Sequence, residues 1–518
     1  MSETLNIYPA STKIYTTEGM FFGVPDAKEE VPENHGLTQF YEDVHEIRER
    51  LKHEIYIVSG RKGCGKTAFF RYIENLSEKR YEIHCKSFLP KDYELEKLVQ
   101  KIDPQRVNNY KILYEWIILV NFTEMILEVN KGAIADAIVD LAKFWKLNSG
   151  HLSITSLALA SSSSEGGKDI QLGIWDSITV GLRKAFSKVY RKPEFYELLK
   201  DLRAKVTKAL NYQLHENHEF FLFFDDLDEN FDITSEEQCK QLISLIEEAR
   251  DFNKNYLSGS TGKVVILIRE DHVDRLSGHT NSFTKAKEGG RYVLNWYNPN
   301  ADNSNEAKLM LRKFVNKRLH ANFTKLNISM SHPEDPWLDF IDTKPNISFN
   351  YSSVFRFILS YTQCRPRDFV YLFNNISEKN FKLPLDAEAV IKLLVDYVRV
   401  AYNELEDELV NSLPKKGIRD KFKKSFAHLM ELDTYSYIQV KNRIENQGLE
   451  NSELYIELMV TYNIIIPFDK ANKEYPHFLY PNLKVDKKKH RFKLAKWIKA
   501  YYDESYITDP NKATICFG

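Results

Sequence analysis

Cysteine is scarce and scattered. Cys64, Cys85, Cys239, Cys364 and Cys516 stand far apart with no C-x-x-C spacing, which excludes a zinc ribbon or a disulfide framework. The pattern suits a reducing compartment, and a cytoplasmic location is expected. No stretch approaches the roughly eighteen apolar residues of a spanning helix, and no basic-then-apolar leader opens the chain, so no membrane partner is expected. Neither sign of charge is in excess: the formal net charge is −1, and a DNA or RNA partner would have to use a local basic surface. H-x-x-x-H pairs, nuclease-like carboxylate clusters and catalytic-triad signatures are lacking as well. What is there is ordinary globular material, 43% hydrophobic and 28% charged with 32 Phe and 29 Tyr, enough for roughly three or four domains in 518 residues.

The most informative stretch is Gly60-Arg61-Lys62-Gly63-Cys64-Gly65-Lys66-Thr67. It follows the apolar run Ile55-Tyr56-Ile57-Val58 and precedes the helical pattern of Ala68 to Ile73. Strand, glycine-rich loop and helix in that order are the setting in which G-x-x-x-x-G-K-[ST] cradles phosphates. Glycines let backbone N–H groups of Gly60 to Ala68 converge at the helix N-terminus. Lys66 would reach the β- and γ-phosphates, and the Thr67 hydroxyl would ligate Mg²⁺.

Phe220 to Phe224 followed by Asp225-Asp226 reads as a strand buried on both faces whose carboxyl end meets the site. Asp225 would hold Mg²⁺, and Asp226 would orient or deprotonate the attacking water. Asp228 and Glu229 compete for that second role. A further buried-strand pattern, Lys263 to Arg269, ends in a cation. Arg269 would sense the γ-phosphate or couple nucleotide state to a neighbouring domain, or else form a salt bridge with Asp271 or Asp274.

Elsewhere, Phe40, Val44, Ile47 and Leu51 recur at helical spacing and predict a helix beside the first strand. Phe21-Phe22-Gly23 would border the nucleotide base or form a simple apolar turn. Leu113 to Ile126 make a helix apolar over most of its surface, which requires cover. The small polar residues around Ser161 to Gly167 predict a mobile insertion, with helices near Ile174 to Tyr190 and Lys192 to Leu210.

Arg291 to Trp296 read as the last strand of the sheet, followed by amphipathic helices that make a lid. Within it, Arg365-Pro366-Arg367-Asp368 places proline at a helix start and sets Arg365 or Arg367 at the mouth of a lid helix, either facing phosphate or as a surface pair near a cap. The expected organisation is an α/β fold. Residues 1–300 form a P-loop NTPase core with an N-terminal extension and an insertion near 130–210. Residues 301–382 form the helical lid, 383–432 a helical connector and 433–518 a winged-helix-like domain. In that last region the strand candidates are Ile464 to Ile466 and His477 to Tyr480. Two basic segments, Lys415 to Lys424 and Lys484 to Lys499, would track a phosphate backbone if they shared a face; otherwise they are solvated or meet protein.

Taken together, Phe22-Gly23 with Ala27 and Glu30, the Gly60 to Thr67 loop, Leu222 to Glu229, Ile268-Arg269, Leu294-Asn295-Trp296 and Arg365 to Asp368 resemble a bacterial family of P-loop ATPases close to the STAND, KAP and AAA+ proteins. The resemblance implies Lys66 and Thr67 on phosphate and Mg²⁺, Asp225 on Mg²⁺, Asp226 or Glu229 near the attacking water, and Arg365 or Arg367 as a lid arginine. It also implies a nucleotide-driven switch that forms homo-oligomers, in some relatives in antiphage defence. No appended effector domain is evident, so a separate effector protein is expected. The expected activity is Mg-dependent ATP hydrolysis. The alternatives are a nucleic-acid-stimulated ATPase and an assembly module that binds ATP without hydrolysing it.

Overall fold

A computed structural model of the chain describes residues 14–27, 29, 40–89, 110–129, 135–152, 195–227, 235–276, 289–297, 306–342, 353–413, 415–476 and 483–509. These fall into two compact units. One comprises Glu46–Gly60 and Ile73–Val293, and the other Met1–His45, Arg61–Tyr72 and Leu294–Gly518.

The first unit is built on a five-stranded parallel sheet. Its strands are β1 (Ile57–Gly60), β2 (Ile83–Phe88), β3 (Glu219–Phe224), β4 (Val264–Arg269) and β5 (Arg291–Val293), in the spatial order β2-β3-β4-β1-β5. Apolar runs in β1, β3 and β4 are buried along nearly their whole length, as a parallel sheet covered on both faces demands. Helix α1 (Lys66–Lys79) leaves the loop after β1. It is followed by α2 (Tyr110–Val129), α3 (Asp136–Leu152), α4 (Phe195–His215) and α5 (Glu236–Tyr256).

The apolar α2 does receive cover. Trp116, Ile117, Leu119 and Phe122 are buried in one core with Leu141 of α3, Leu202 and Val206 of α4, and Leu245 and Phe252 of α5. Ser235 caps α5 by accepting from the Gln238 N–H. At the other end of α5 the Asn253 amide donates to the Val264 carbonyl and accepts from the Val264 N–H, both at 2.8 Å. This pins the helix to the first residue of β4.

The second unit is mainly helical. It contains α6 (Met310–Lys325), α7 (Val354–Ser360), α8 (Pro366–Phe373), the long α9 (Ala387–Ser412) and α10 (Lys416–His428). A small three-stranded antiparallel sheet follows, formed by β6 (Tyr435–Ser436), β7 (Ile465–Phe468) and β8 (Arg491–Leu494) in the order β6-β8-β7. Helices α11 (Tyr437–Glu445) and α12 (Ser452–Thr461) lie between β6 and β7 in sequence, and α13 (Lys496–Tyr502) follows β8. In this unit Arg318 of α6 donates to the carbonyls of Phe22 and Phe40, each at 2.8 Å. The Phe22 ring packs against Phe340 and Phe373.

Several expectations need correction. The helix expected around Phe40 to Leu51 shrinks to one turn, Ile47–Arg50, because Glu46 adopts a left-handed backbone (φ 53°) that breaks it. Phe40, Ile47 and Leu51 are nonetheless buried. The strand that pairs with β7 is Arg491–Leu494, inside the basic segment; the expected strand at 477–480 lies outside the described residues. So do the serine-rich stretch 161–167 and the helix expected at 174–190. Phe22 is 2% exposed within its aromatic cluster.

Candidate functional site

Because every strand of the five-stranded sheet is parallel, all carboxyl ends lie along one edge, the edge where α/β proteins bind ligands. Gly60 ends β1 level with Arg269 at the end of β4. Asp225 and Asp226 follow β3 on the other side of β4. Asp225 is 3% exposed, whereas Asp226 is partly open and takes a left-handed backbone (φ 54°), a conformation costing a non-glycine residue about 1 kcal/mol or more. The strain turns two successive acids into different environments, one enclosed and one accessible. Asp228 and Glu229 lie outside the described residues, as do the side chains of Asp271 and Asp274. Arg269 is buried. On the opposite flank of β1, Arg291 of β5 donates to the Ser59 hydroxyl (2.6 Å) and to Glu270 (3.4 Å), which secures the strand that carries the loop.

The loop itself belongs to the helical unit from Arg61 onward. Gly63 (φ 80°) and Gly65 (φ 91°) occupy the left-handed region, where only glycine sits without strain, and they fold the chain back before α1 begins at Lys66. The turn closes through Cys64 N–H to the Arg61 carbonyl (3.2 Å), and Phe69 N–H begins the helical ladder on the Gly65 carbonyl (3.0 Å). Lys66 Nζ donates to the Arg61 carbonyl at 3.3 Å, so the ammonium is drawn back over its own loop. The Trp296 indole N–H donates to the Cys64 carbonyl at 2.8 Å.

A second segment grips the loop within this unit. Arg61 donates to the Gln363 carbonyl (2.6 Å) and Arg365 to the Lys62 carbonyl (3.1 Å), while the Arg367 N–H reaches the Gly63 carbonyl at 3.4 Å. The Arg367 side chain lies so close over Gly63 that a Cβ there would stand 2.9 Å from it. The grip depends on a sharp turn: Cys364 is left-handed (φ 54°), Pro366 starts α8, and Asp368 accepts from the N–H groups of Gln363 and Arg365, each at 2.9 Å.

Arg365 and Arg367 have different surroundings. Arg365 is 2% exposed and is bound by Asp368 (2.9 Å), Glu404 (3.0 Å) and Glu408 (3.3 Å). Burial works against its charge, but those three carboxylates outweigh it and hold the guanidinium firmly protonated. Arg367 binds the other oxygen of Glu404 at 2.9 Å and keeps more solvent contact. Glu404 is desolvated, which alone would raise its pKa, but Arg365 and Arg367 pull it below the ordinary carboxylate range. Thus Arg365 is a buried ion whose guanidinium touches the loop through a carbonyl, and Arg367 is the more exposed of the two, held by one carboxylate.

Part of the charge in the basic C-terminal segments is matched by acids, while Lys415, Lys416, Lys421, Lys424, Lys484 and Lys488 are exposed. Lys487 pairs with Glu453, Lys489 with Asp486, Lys493 with Glu474, Lys499 with Asp433 and Lys423 with Glu406. Lys496 stands over the Tyr361 ring.

Glu404 and Glu408 escaped sequence reading, although one signal was present. They fall on the stripe of α9 that contains buried Tyr397, Ala401 and Leu405, where two carboxylates at i, i+4 need a buried cation. Among the described residues no helix is long and apolar enough to cross a membrane. The chain matches no protein-family model, and no curated protein is significantly similar to it.

Proposed function

We propose that the chain is a Mg-dependent ATPase of the P-loop class, with a helical lid and a winged-helix-like C-terminal region, in which hydrolysis drives a conformational or oligomeric switch. The observation that carries the reading is the shape of the Gly60 to Thr67 loop. It leaves the carboxyl end of a central parallel strand, is folded by two left-handed glycines, and feeds the N-terminus of a 14-residue helix. That arrangement aims N–H groups and the positive end of a helix at one place, which favours a phosphate.

The residue types fit the metal as well. A threonine hydroxyl at 67 and a buried carboxylate at 225 are hard oxygen donors, and Mg²⁺ commonly takes one or two protein ligands plus substrate phosphates and water. Among the described residues no group of three or more His, Cys, Asp or Glu forms a self-sufficient metal cage, which suits a metal that arrives with its substrate. Mg²⁺ held by such residues would supply charge neutralisation on the phosphates. Lys66 would share that task, Asp225 would anchor the metal through its own oxygens or a water, and the more open Asp226 would orient the attacking water. Arg269, at the end of β4, the strand between β1 and β3, would stabilise the γ-phosphate.

The switch acts alone or through a separate effector, with antiphage defence among the roles the resemblance suggests. Homo-oligomers would bring a neighbouring subunit's arginine to the site. The test is phosphate release from ATP and GTP across protein concentrations, with Lys66→Ala and Asp226→Ala as controls. Turnover lost in both variants supports the reading. Tight ATP binding with no turnover above Lys66→Ala would replace it with a non-hydrolysing assembly module.

A further inference from the structure

The acids of α9 connect the loop to a distant part of the same unit. Glu404 divides its two oxygens between Arg365 (3.0 Å) and Arg367 (2.9 Å). One arginine is locked, with two further carboxylates and the Lys62 carbonyl as partners. The other leans on Gly63 and, among the described residues, pairs with one acid, Glu404. The same helix holds the C-terminal end of the chain. Tyr402, two residues before Glu404, stacks on Tyr501 with ring centroids 3.7 Å apart. Arg399 pairs with Glu504 at 2.5 Å, and Ser412 meets the Tyr462 hydroxyl at 2.7 Å.

We infer that Glu404 is a positioning residue that competes with the terminal phosphate of a nucleoside triphosphate for Arg367, so that phosphate occupancy is reported along α9 to the small antiparallel sheet and its helices. The inference rests on the phosphate-binding reading of the loop and adds its regulation. The chemistry is a counter-ion exchange with no covalent step. Arg367 gives up one carboxylate oxygen and gains a phosphate oxygen that carries more charge. Glu404 keeps Arg365, which cannot follow because Asp368 and Glu408 retain it. A diphosphate, which lacks the terminal group, leaves the Arg367–Glu404 pair in place. The released Glu404 oxygen then faces a locally more negative environment on α9, beside Glu408, and the helix responds where Tyr402 and Arg399 hold the C-terminal elements.

The experiment measures binding of a non-hydrolysable ATP analogue and of ADP by calorimetry, with Mg²⁺, to the full chain and to Glu404→Gln, Arg367→Gln and the double variant, with Lys66→Ala as the control for the loop. Glutamine keeps the shape of Glu404 but weakens its hold, so E404Q should bind the triphosphate about tenfold tighter relative to ADP, the size of one charged hydrogen bond. R367Q should erase most of the preference for triphosphate, and the double variant should match R367Q. Since Glu404 is buried and its replacement can disturb folding, hydrogen exchange of wild-type protein provides a second arm: amides of residues 399–412 should change with the triphosphate analogue and not with ADP. If E404Q and R367Q leave the triphosphate-to-diphosphate ratio unchanged while Lys66→Ala abolishes binding, this inference fails and the phosphate reading stands. Equal exchange with both nucleotides also overturns it. If wild type binds neither nucleotide, or Lys66→Ala binds as wild type does, both fall.

Discussion

The indole N–H of Trp296 donates to the carbonyl of Cys64 at 2.8 Å, so a tryptophan distant in sequence holds the back of the glycine-rich loop. His45 meets the Trp296 ring edge-on with centroids 4.7 Å apart, and Phe314 packs at 5.7 Å, fixing the indole plane. Trp296→Phe keeps most of the packing and removes the donor. It should cost about 1 kcal/mol of stability and weaken nucleotide binding severalfold, because the loop loses its backstop. Thermal melts with and without Mg-ATP check this: the nucleotide-induced rise in midpoint should shrink more than the midpoint itself falls. A variant with an unchanged nucleotide-induced rise would show that the loop holds its shape without Trp296.

Gly63→Ala tests the close approach of the loop and α8. The substitution meets two obstacles, a left-handed backbone (φ 80°) and the Arg367 side chain 2.9 Å from the new Cβ. Gly259→Ala faces a similar backbone (φ 77°) with nothing within 4 Å, so it reports the backbone cost alone, about 1 kcal/mol. Gly63→Ala should lose more than that in denaturant unfolding and should also lose phosphate affinity. Equal losses for the two variants would show that Arg367 yields without cost.

Much of the site was legible because short-range chemistry determines it. A loop needing left-handed residues must spend glycines, as Gly63 and Gly65 do, and a strand buried on both faces must be apolar, as Phe220 to Phe224 are. The partners of Arg365 were not legible. Asp368 is close in sequence, but Glu404 and Glu408 lie 39 and 43 residues on, and nothing local says which cation meets two acids on an apolar helical stripe. The partners of the C-terminal charges were not legible for the same reason. Lysines 487, 493 and 499 read as one basic run, yet each finds an acid from another element. Likewise the helix expected from Phe40 begins only after Glu46, whose left-handed backbone has no residue-type signature.

Arg365 and Arg367 should separate in mutagenesis. Arg365→Ala leaves Asp368, Glu404 and Glu408 buried without their shared cation, a loss of about 3–5 kcal/mol, and the variant should melt far below wild type. Arg367→Ala removes a partly exposed side chain and should change stability by about 1 kcal/mol or less, while reducing ATP turnover. Denaturant unfolding beside phosphate release distinguishes them. A stable, inactive Arg365→Ala protein would move the phosphate-sensing role to Arg365.

Nucleic acid should neither stimulate turnover nor bind with a steep salt dependence. A protein that neutralises several phosphates loses affinity sharply as salt rises; here Lys423, Lys487, Lys489, Lys493 and Lys499 are matched with carboxylates, which leaves the exposed Lys415, Lys416, Lys421, Lys424, Lys484 and Lys488 divided between two separate segments. Fluorescence anisotropy with labelled single- and double-stranded DNA and RNA at low and moderate salt checks this. Salt-sensitive binding that also raises ATP hydrolysis would favour a nucleic-acid-dependent motor or loader.

Glu248 of α5 should make stability fall as pH rises from the carboxylate range towards 8. Burial, then the neighbouring Glu115 carboxylate, pushes its pKa up to about 8, with Lys111 and Arg203 only partly compensating. The folded protein therefore keeps Glu248 protonated where the unfolded chain has already released that proton. Between about pH 4.5 and 8 folding takes up a proton, and stability is greatest at the acid end of that window and lost towards the alkaline end. Near pH 7 the loss attributable to this group is on the order of 2–3 kcal/mol. Glu248→Gln preserves the shape without the ionisation, so it should be more stable than wild type at pH 8 and nearly equal to it at pH 5. His84 in the same unit acts in the opposite direction. Burial and the adjacent His218 lower its pKa to about 4, so its neutral form favours folding and stability declines as pH falls from about 6.5 to 4. Urea unfolding of wild type, Glu248→Gln and His84→Gln at pH 5, 6.5 and 8 separates the two slopes. Parallel profiles for wild type and Glu248→Gln would mean that Glu248 ionises in the fold as readily as in the unfolded chain, with Lys111 and Arg203 compensating its burial in full.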